Sequence, residues 1–336
     1  MRHKKKSKDI NTVLENITVL EMAAEGKCVS RHENKVIFTE YTAPGDVVDL
    51  KIVRDKKNFA MGVPITFHSY SKDRTEPFCQ HFGTCGGCKW QHINYDKQIG
   101  YKATQVKDAL DRIAKVQYPS INPILGSNKT TFYRNKLEFT FSNKKWLTTD
   151  ELQSEEEFQK DALGFHIAGR FDKILDIQKC YLQSEISNEI RNLVREFAKL
   201  NSISFFDIRA QKGLLRNLII RNSDGTGQLM VIVQFFEDDE KGIVKIMEML
   251  RTTFPQITSL LYVINSKGNE TFHDLDLICY AGKEYILEEM EGLQFRIGPK
   301  SFYQTNSTQA YELYKIVRRM SQLKGDELVY DLYTGT

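Results

Sequence analysis

The stretch FCQHFGTCGGCKWQH at residues 78–92 sets three cysteines in the spacing C-x5-C-x2-C, and a fourth follows far downstream in the run DIQKCYLQ. The four are Cys79, Cys85, Cys88 and Cys180. Four thiolates that converge in a fold are typical ligands of an iron-sulfur cluster or of a structural zinc ion. Gly86 and Gly87 would let the backbone turn tightly around the sulfurs and direct N–H groups at them. The stretch therefore predicts a metal-binding loop.

Cysteine is also a common buried hydrophobic residue, and in exported proteins it forms disulfides. The N-terminus is polar and basic and lacks the apolar segment of a signal peptide, so disulfides are not expected. Because three cysteines crowd a polar, glycine-rich stretch that is typical of a loop, a metal site is favoured over inert core thiols. Cys28 and Cys279 stand alone in strand-like segments, and we interpret both as core residues.

Length and composition indicate a soluble chain of two or three domains. The chain has 336 residues, of which 41% are hydrophobic and 27% are charged. No apolar run approaches the length of about 18 residues that is needed to cross a bilayer. We therefore predict a cytoplasmic protein that has no membrane segment and is, by default, a monomer.

Basic residues cluster in two places, although the net charge is only +3 and does not by itself establish a polyanionic partner. Residues 1–14 are predicted to form a flexible basic arm, and a second cluster occupies one later segment. The arm contains Arg2, Lys4, Lys5, Lys6 and Lys8, and the later segment contains Lys51, Arg54, Lys56 and Lys57. For the arm, contact with phosphates and a simple solvated tail are equally good interpretations.

Short alternating apolar runs at residues 15–72 predict a small antiparallel β-barrel. Turn signals separate these runs at Glu25-Gly26, Glu33-Asn34 and Pro44-Gly45. Such a barrel is a common platform for nucleic acids. Strands dominate the following region, residues 73–292, in which Asp224-Gly225 marks a hairpin turn.

Apolar periodicity predicts four helices beyond the barrel. The first begins after Asn94 as N-cap and reaches about residue 116, and the third ends before Pro255. Their apolar faces are formed by Ile99, Ala103, Val106, Leu110 and Ile113, by Ile186, Ile190, Leu193, Phe197 and Leu200, by Ile243, Ile246, Met247 and Leu250, and by Ala310, Leu313, Val317 and Met320.

The last helix leads into the apolar run ELVYDLYTGT, which predicts a buried strand. A strand that closes on Asp331 and continues into Gly335 is how a doubly wound α/β domain begins its nucleotide or cofactor loop. One strand of such a domain cannot bury its own faces. We therefore expect residues 293–336 to be the beginning of a truncated domain.

Together these residues resemble the RNA uracil-5-methyltransferases that carry an N-terminal TRAM barrel and a 4Fe-4S cluster, typified by enzymes that act on 23S ribosomal RNA. The resemblance covers essentially the whole chain. It is carried, in order, by Ala43-Pro44-Gly45-Asp46, Cys79-x5-Cys85-Gly86-Gly87-Cys88 with Gln91-His92, Phe132-Tyr133-Arg134-Asn135-Lys136, Cys180, Leu215-Arg216-Asn217, Ser301-Phe302-Tyr303-Gln304-Thr305-Asn306, and Asp331-Leu332-Tyr333-Thr334-Gly335.

The resemblance implies a multidomain α+β fold. An OB-like TRAM β-barrel would be followed by a central β-rich domain that holds the iron-sulfur cluster and binds RNA. The start of a Rossmann-like α/β methyltransferase domain would follow, and the helix at about residues 94–116 is expected to dock on that domain. Cys79, Cys85, Cys88 and Cys180 would ligate the 4Fe-4S cluster.

The resemblance also implies roles for residues outside the cysteine loop. Gln304 and Tyr333 would contact S-adenosylmethionine, and Phe302 would lie near the target base, where an aromatic ring can stack on a flipped-out uracil. Contact with RNA is predicted for Arg134, Lys136, Arg216 and Phe302. Core packing is an even alternative for Phe302 and Tyr333, and a solvated strand charge is the alternative for the basic residues.

In this family a cysteine thiolate adds to carbon 6 of uracil, carbon 5 attacks the methyl sulfonium, and a base removes the carbon-5 proton before the thiolate leaves. None of the six cysteines resembles that nucleophile, because four are assigned to the cluster and two lack a cationic neighbourhood that would lower the thiol pKa. The nucleophile and the base glutamate are therefore expected beyond residue 336, and this polypeptide alone is expected to be inactive. Since the reaction needs no electron, the cluster is expected to staple distant segments and to shape the RNA-binding surface.

Other functions stay open at this point. A transfer RNA substrate is the alternative to 23S ribosomal RNA, and an RNA-binding, metal-containing module without catalysis is a second alternative. A radical or redox enzyme would favour three cysteines in a C-x3-C-x2-C loop with an open iron site, which the x5 spacing and the four available ligands disfavour.

Overall fold

A computed structural model describes residues 12–153 and 159–333 of the chain. Most of the predicted basic arm, residues 1–11, and Gly335 of the predicted cofactor loop lie outside the described residues. The chain divides into two compact units, of which the first is formed by Met1–Gly83 and Gly87–Gly126 and the second by Thr84–Gly86 and Ser127–Thr336. The predicted domain boundaries at residues 73 and 293 stay predictions.

The first unit contains the predicted barrel, which closes in the order β1-β2-β3-β5-β4. Its strands are β1 (Val13–Met22), β2 (Lys27–His32), β3 (Lys35–Glu40), β4 (Val47–Asp55) and β5 (Phe59–Ser69). Neighbouring strands are antiparallel except β3 and β5, which pair in parallel. Alternate residues point inward, so that Val48, Leu50 and Ile52 of β4 are buried in the barrel core while Lys51 and Val53 are exposed.

A buried aspartate ties the segment after β5 to the barrel. The Asp46 carboxylate accepts hydrogen bonds from the Ala43 and Ser71 amides and lies 2.7 Å from Nη2 of Arg74. Because the carboxylate has both a cation and backbone donors, its burial is compensated. The segment that leads to the cysteine stretch is therefore firmly held.

The predicted first helix is present as α1 (Tyr95–Asp108), and a π-helical turn, Ala109–Ala114, continues it. Asn94 is the N-cap position, but its side chain donates to the Arg74 carbonyl instead of capping the helix. Gln105 donates to the Ala23 carbonyl beside the barrel. The helix belongs to the same compact unit as the barrel, and its predicted docking on a methyltransferase domain stays a prediction.

The second unit is built on a seven-stranded sheet in the order β12-β11-β10-β9-β6-β7-β8. The strands are β6 (Lys136–Ser142), β7 (Ala162–Ile167), β8 (Arg170–Asp176), β9 (Leu215–Asn222), β10 (Leu229–Phe235), β11 (Ile257–Ile264) and β12 (Ile278–Gly282). Only β10 and β11 pair in parallel, and helix α4 (Glu240–Thr253) forms the crossover between them. The predicted hairpin at Asp224-Gly225 joins β9 and β10.

Side chains alternate between two cores on opposite faces of this sheet. Leu218, Ile220, Val231 and Val233 pack against α4 and α3 (Glu185–Leu200) in the larger core. Ile219, Met230 and Ile232 point to the other face, where they pack with a two-stranded sheet of β13 (Ile286–Met290) and β14 (Leu293–Ile297). A short helix, α2 (Thr149–Gln153), lies between β6 and β7.

The two helices of the larger core differ in how well periodicity predicts their buried faces. In α4 the predicted Ile243, Ile246, Met247 and Leu250 are all buried, and the helix ends before Pro255 as expected. In α3 the buried stripe is rotated, since Val194 and Ala198 are buried and Leu200 is 85% exposed. Arg191 and Arg195 take part in the rotated stripe because carbonyls and a carboxylate at residues 176–178 accept their hydrogen bonds.

The predicted buried strand at the end of the chain is wrong for the described residues. Residues 328–333 form no strand, and Leu328, Tyr330 and Leu332 are each more than three-quarters exposed. The backbone of a strand needs a neighbouring strand for its hydrogen bonds, and no described strand pairs with this stretch. Helix α5 (Ser307–Ser321), which precedes it, buries Ala310 but leaves Leu313, Val317 and Met320 more than half exposed.

Candidate functional site

Two segments that are far apart in the sequence meet at Asn135 in the second unit. The Asn135 amide N–H donates to the Thr305 carbonyl at 2.8 Å. Its side-chain Nδ2 donates to the Gln304 carbonyl at 2.8 Å and to Oγ of Ser307 at 2.7 Å. Asn135 is buried, so each of these bonds is protected from water. The segments around Arg134 and around Gln304 are therefore joined by one side chain.

A cleft of about 460 Å³ opens beside this junction. Its lining combines aromatic rings, cations and carboxylates, a mixture that can hold a flat, polar ligand. The lining residues are Lys136, Glu138, Arg221, Glu270, Thr271, Phe272, His273, Pro299, Lys300, Ser301, Phe302, Tyr303 and Thr305. Two predicted RNA-binding residues, Lys136 and Phe302, thus line one cleft.

The residues that follow Ser301 alternate between solvent and core. Phe302 is 72% exposed, and Gln304 is also exposed. Tyr303 between them packs against the smaller core, where its ring lies 6.3 Å from that of Phe295. Burial raises the pKa of Tyr303 to about 12. Tyr303 is therefore a core residue, whereas Phe302 is presented to solvent, and the core-packing alternative does not describe Phe302.

Charges of both signs lie at the cleft. On β6, Lys136 Nζ is 2.5 Å from Oε1 of Glu138, and both side chains are partly exposed to solvent. On the other side, His166 Nε2 lies 3.8 Å from Oε1 of Glu270. The pKa of Glu270 is lowered, first by His166 and then by the charge of Arg216. Glu270 is therefore a carboxylate at neutral pH, and it places a negative charge opposite the cations of the cleft.

The prediction that Arg216 contacts RNA requires correction. Its side chain is buried, and Nη1 donates to the carbonyls of Asn265 and Lys267, both at 2.7 Å. The guanidinium also lies 4.8 Å from the centre of the Phe206 ring. A cation that is enclosed in this way stabilises the loop after β11 and does not reach a phosphate. Burial lowers its pKa, which agrees with the enclosed position.

Arg134 and Lys136 differ from Arg216 because both are partly exposed. The Arg134 backbone N–H donates to the Leu182 carbonyl at 2.7 Å, and its side-chain Nε lies 3.4 Å from the Lys136 carbonyl. This places both cations at the start of β6, next to Asn135. Their contact with RNA stays a prediction.

The four predicted metal ligands are distributed over the two units. Cys79 and Cys88 belong to the first unit, where burial and then the neighbouring Cys88 raise the pKa of Cys79. Cys85 and Cys180 belong to the second unit, and both contact its larger core. Within residues 12–153 and 159–333, no group of three or more His, Cys, Asp or Glu side chains is arranged to hold a metal ion. The predicted cluster is therefore not shown.

The backbone around Cys85 and Cys180 is nevertheless fixed. Cys85 forms an isolated β-bridge with Ile167, and the Gly86 amide donates to the His166 carbonyl at 3.2 Å. A Cβ atom at Gly86 would lie 2.6 Å from that carbonyl, so only glycine fits. On the other side, the Cys180 amide and carbonyl both bond to the side chain of Asn188 at 2.8 and 3.0 Å.

The two remaining cysteines differ in exposure. Cys28 is fully buried, as predicted, and burial raises its pKa to about 11. Cys279 is only partly buried, and burial together with the charge of Glu284 raises its pKa. Both groups are therefore thiols at neutral pH, and neither has the depressed pKa of an activated nucleophile.

Tyr333, the predicted cofactor contact near the end of the chain, is fully exposed. Its φ of 62° lies in the left-handed region. The core-packing alternative does not describe it, and its contact with a cofactor stays a prediction. In the described part of the chain, no helix is both long enough and apolar enough to cross a bilayer.

Comparison with known proteins identifies the family to which this chain belongs. Residues 14–65 match the TRAM domain family, in agreement with the closed barrel. Proteins described as RNA methyltransferases match almost the whole chain, and the chain belongs to this RNA methyltransferase family. The predictions of a TRAM barrel and of an RNA methyltransferase relationship are therefore confirmed.

Particular relatives come from several bacteria. An uncharacterized RNA methyltransferase of Bacteroides thetaiotaomicron is 57% identical over 319 residues, which cover 94% of this chain and 70% of that protein. One from Porphyromonas gingivalis is 51% identical and covers 95% of this chain and 70% of the relative. One from Chlorobaculum tepidum is 34% identical and covers 95% and 67%.

A solved structure shares the fold. The crystal structure of Pyrococcus abyssi tRNA (uracil-54, C5)-methyltransferase in complex with S-adenosyl-L-homocysteine superimposes with a TM-score of 0.65. The sequence identity is 24%, and the match covers 93% of this chain and 66% of that protein. The resemblance supports the methyltransferase-like fold.

Neither Asn135 nor Arg221 is predicted as a site residue from the sequence. Asn135 stands inside the quoted run FYRNK, but an amide between two cations gives no sign of a distant partner. Arg216 and Arg221 interrupt the apolar run LLRNLIIRN. A charged residue inside an apolar strand has to be paired when it is buried, and this is the signal that identifies both as internal residues.

Proposed function

We propose that the protein acts in the S-adenosylmethionine-dependent 5-methylation of uridine in RNA, with 23S ribosomal RNA as the substrate. The observation that carries the proposal is the junction at Asn135, which joins the segment of Arg134 and Lys136 to that of Phe302 and Gln304. Predicted RNA and cofactor residues thus lie beside one cleft. The membership of the RNA methyltransferase family and the TRAM barrel support the same conclusion.

In this proposal each side chain at the cleft has a distinct task. Phe302 stacks on the target base, since it is exposed and its backbone is held. Lys136 and Arg134 bind phosphates at the start of β6. Gln304, and Tyr333 further along the chain, contact S-adenosylmethionine, which supplies the methyl group when bound. The exposed position of Gln304 leaves its amide available for this task.

We also propose that Cys79, Cys85, Cys88 and Cys180 hold a 4Fe-4S cluster. The donor set fits such a group, because four thiols without a role in the cleft occur in this chain and the backbone of Cys85 and of Cys180 is fixed. Gly86 supports the fit, since its close approach to the His166 carbonyl excludes a side chain. The cluster has a structural task in this proposal and no part in methyl transfer.

The thiolate nucleophile is not among the six cysteines of the chain in this proposal. Cys28 is enclosed in the barrel, and its raised pKa keeps it protonated. Cys279 also has a raised pKa, and the other four bind the cluster. Methyl transfer by the 336-residue polypeptide alone is therefore not expected.

The experiment that tests the function removes the gene from the organism that carries it. Ribosomal and transfer RNA are then separated, and 5-methyluridine is located in each by mass spectrometry. Loss of a 5-methyluridine from 23S ribosomal RNA, restored by a plasmid copy, is the expected result. Unchanged 5-methyluridine in both RNA classes would contradict the proposal.

A transfer RNA substrate is the second candidate, and one observation favours it. The fold matches that of Pyrococcus abyssi tRNA (uracil-54, C5)-methyltransferase. In the same experiment this candidate predicts loss of 5-methyluridine from transfer RNA, with 23S ribosomal RNA unaffected.

A further inference from the structure

A single backbone stretch, residues 298–307, presents Phe302 and Gln304, and it is held at both ends by side chains from the central sheet. Arg221 of β9 binds its first half, and Asn135, next to β6, binds its second half. We propose that Arg221 is a positioning residue that fixes Phe302 for contact with RNA. This inference rests on the proposed function, because Phe302 is assigned there to the target base.

The contacts of Arg221 are concentrated on the residues just before Phe302. Nη1 donates to the carbonyls of Gly298 at 2.8 Å and Pro299 at 3.3 Å, and Nη2 donates to the carbonyl of Ser301 at 3.0 Å. Three carbonyls of one tight turn thus accept from one guanidinium. Because the guanidinium is planar and rigid, these bonds fix the relative orientation of the peptide groups that they join.

The burial of Arg221 indicates that its main role is to bind these backbone carbonyls. The side chain is only 3% exposed, and removal from water lowers its pKa to about 10. The charge of Glu138 opposes this lowering of the pKa, but the Glu138 side chain is half exposed at the cleft. A buried cation that is not paired with a close carboxylate is costly, so its bonds to the turn must offset that cost.

The other end of the stretch is fixed independently. Asn135 holds the carbonyls of Gln304 and Thr305, and Tyr303 between them is anchored in the smaller core. Arg221 lies on β9, and Asn135 directly precedes Lys136, which pairs with Arg221 in the ladder of β6 and β9. The two residues that hold the stretch, Arg221 and Asn135, therefore extend from one sheet. Phe302 therefore lies between two fixed points, and loss of either would let its ring move.

A double-mutant cycle separates positioning from general stability. The dissociation constant for a uridine-containing 23S ribosomal RNA transcript is measured for the wild-type chain, Phe302→Ala, Arg221→Lys and the double variant. Arg221→Lys keeps the charge but lacks the planar, forked guanidinium whose two Nη atoms reach the separate carbonyls of Gly298, Pro299 and Ser301. We expect Phe302→Ala to weaken binding about tenfold, the effect of losing one stacked base. Arg221→Lys should weaken it severalfold in the wild-type background and have no effect in the Phe302→Ala background.

Arg216→Lys is the matched control, since Arg216 lies on the same strand, is equally buried and also donates to loop carbonyls. Its loop does not carry Phe302, so any effect of this change should add to that of Phe302→Ala. Should Arg221→Lys fail to fold, Asn135→Ser tests the other fixed point, because it removes the side-chain bonds to Gln304 and Ser307 and keeps the backbone bond to Thr305. It should show the same non-additivity.

The outcomes distinguish this inference from the function on which it rests. Unchanged affinity on Phe302→Ala would overturn the proposed RNA contact and the positioning role with it. Weaker binding on Phe302→Ala, together with additive effects of Arg221→Lys and Asn135→Ser, would overturn the positioning role alone. Hydrogen exchange of the amides at residues 298–307 is measured on the same variants, and faster exchange confined to this stretch is the expected result.

Discussion

Arginine residues on β9 show how burial decides what a single side chain can do. Arg216 and Arg221 are both almost fully buried, and each holds the carbonyls of one loop. Lys136, which pairs with Arg221 in the ladder, is partly exposed and lines the cleft. The sequence predicts contact with RNA for Lys136 and Arg216, but only the partly exposed Lys136 retains that interpretation. Charge alone therefore does not identify a residue that contacts RNA.

Substitution of Cys85 tests the proposed cluster by replacing a single ligand atom, the sulfur. Cys85→Ser replaces a thiolate ligand by a hydroxyl, so we expect iron content to fall and the melting temperature and RNA affinity to decrease together. Iron and sulfide are quantified on anaerobically purified protein, and a thermal melt and an RNA titration are recorded on the same sample. The expected loss of stability is about 2 kcal/mol or more, since a site that holds folded segments together is removed.

Cys279→Ser is the matched control, because Cys279 is also partly buried but is not assigned to the cluster. It should retain iron and RNA affinity. Reduced RNA binding by Cys85→Ser at an unchanged melting temperature would argue against the stapling role. Wild-type protein with zinc and no iron would leave a structural zinc site as the better account.

At the scale of helices and strands, the sequence predicts an element well where its neighbours are adjacent and apolar. Periodicity identifies the buried face of α4 correctly because Ile243 and its partners pack into the apolar larger core. It misplaces the face of α3, since it treats Arg191 as solvent-exposed and cannot show that the carbonyls of Ile177 and Gln178 accept its hydrogen bonds. The strand predicted after Lys324 is wrong for a related reason, because no strand within the described residues pairs with this stretch.

The candidate site likewise combines features that the sequence predicts with features that only the structure shows. The pattern of cysteines and the runs around Phe302 and Lys136 could be read from the sequence, because each is local. The junction at Asn135 spans 169 residues to Gln304 and depends on the topology that brings β6 beside the start of α5. Such long-range hydrogen bonds have no local signature, so the residues that hold the site are found only in the structure.

The loop between α3 and β9 gives a pH-dependent prediction at this scale. Asp207 accepts hydrogen bonds from Lys144 at 2.9 Å and from the Ala210 and Arg209 amides at 3.1 and 3.0 Å. These donors, with Lys144 the strongest, hold the pKa of Asp207 well below its usual range. A carboxylate with a lowered pKa stabilises the fold above the unfolded pKa of about 3.9, and this contribution is lost as the pH falls below it.

Asp207→Asn is therefore expected to lower the free energy of unfolding by about 1–3 kcal/mol at pH 7, the range for hydrogen bonds to a charged group. The difference from wild type should shrink as the pH falls from 4 towards 2, which urea unfolding at several pH values measures. Asp238→Asn, at an exposed position, is the control and should change little. A difference that stays constant from pH 7 to pH 2 would contradict the role of the charge.

At the scale of the whole molecule, the barrel carries a group of exposed cations that a polyanion can contact. Lys51 and Arg54 are exposed on β4, and Lys56 and Lys57 are exposed in the turn that follows. In the β4 and β5 ladder Lys51 pairs with Val63, which is 48% exposed. Exposed apolar side chains among cations suit an RNA strand, whose bases and phosphates are contacted at the same time. The barrel is therefore expected to contribute non-specific affinity, while Phe302 in the second unit contributes contact with a base.

These separate contributions of the barrel and of Phe302 predict that RNA affinity depends on salt differently in the corresponding variants. Lys51→Gln combined with Arg54→Gln should weaken RNA binding at low salt and reduce the slope of log affinity against log salt by about 1.4, since each single-strand phosphate contact contributes about 0.7. Lys241→Gln combined with Lys245→Gln on α4 removes the same net charge from a different surface and should leave the slope nearly unchanged. Phe302→Ala should lower affinity at every salt concentration without changing the slope, because stacking releases no counterions. Equal slopes for the two double variants would show that net charge, and not the barrel surface, governs RNA binding.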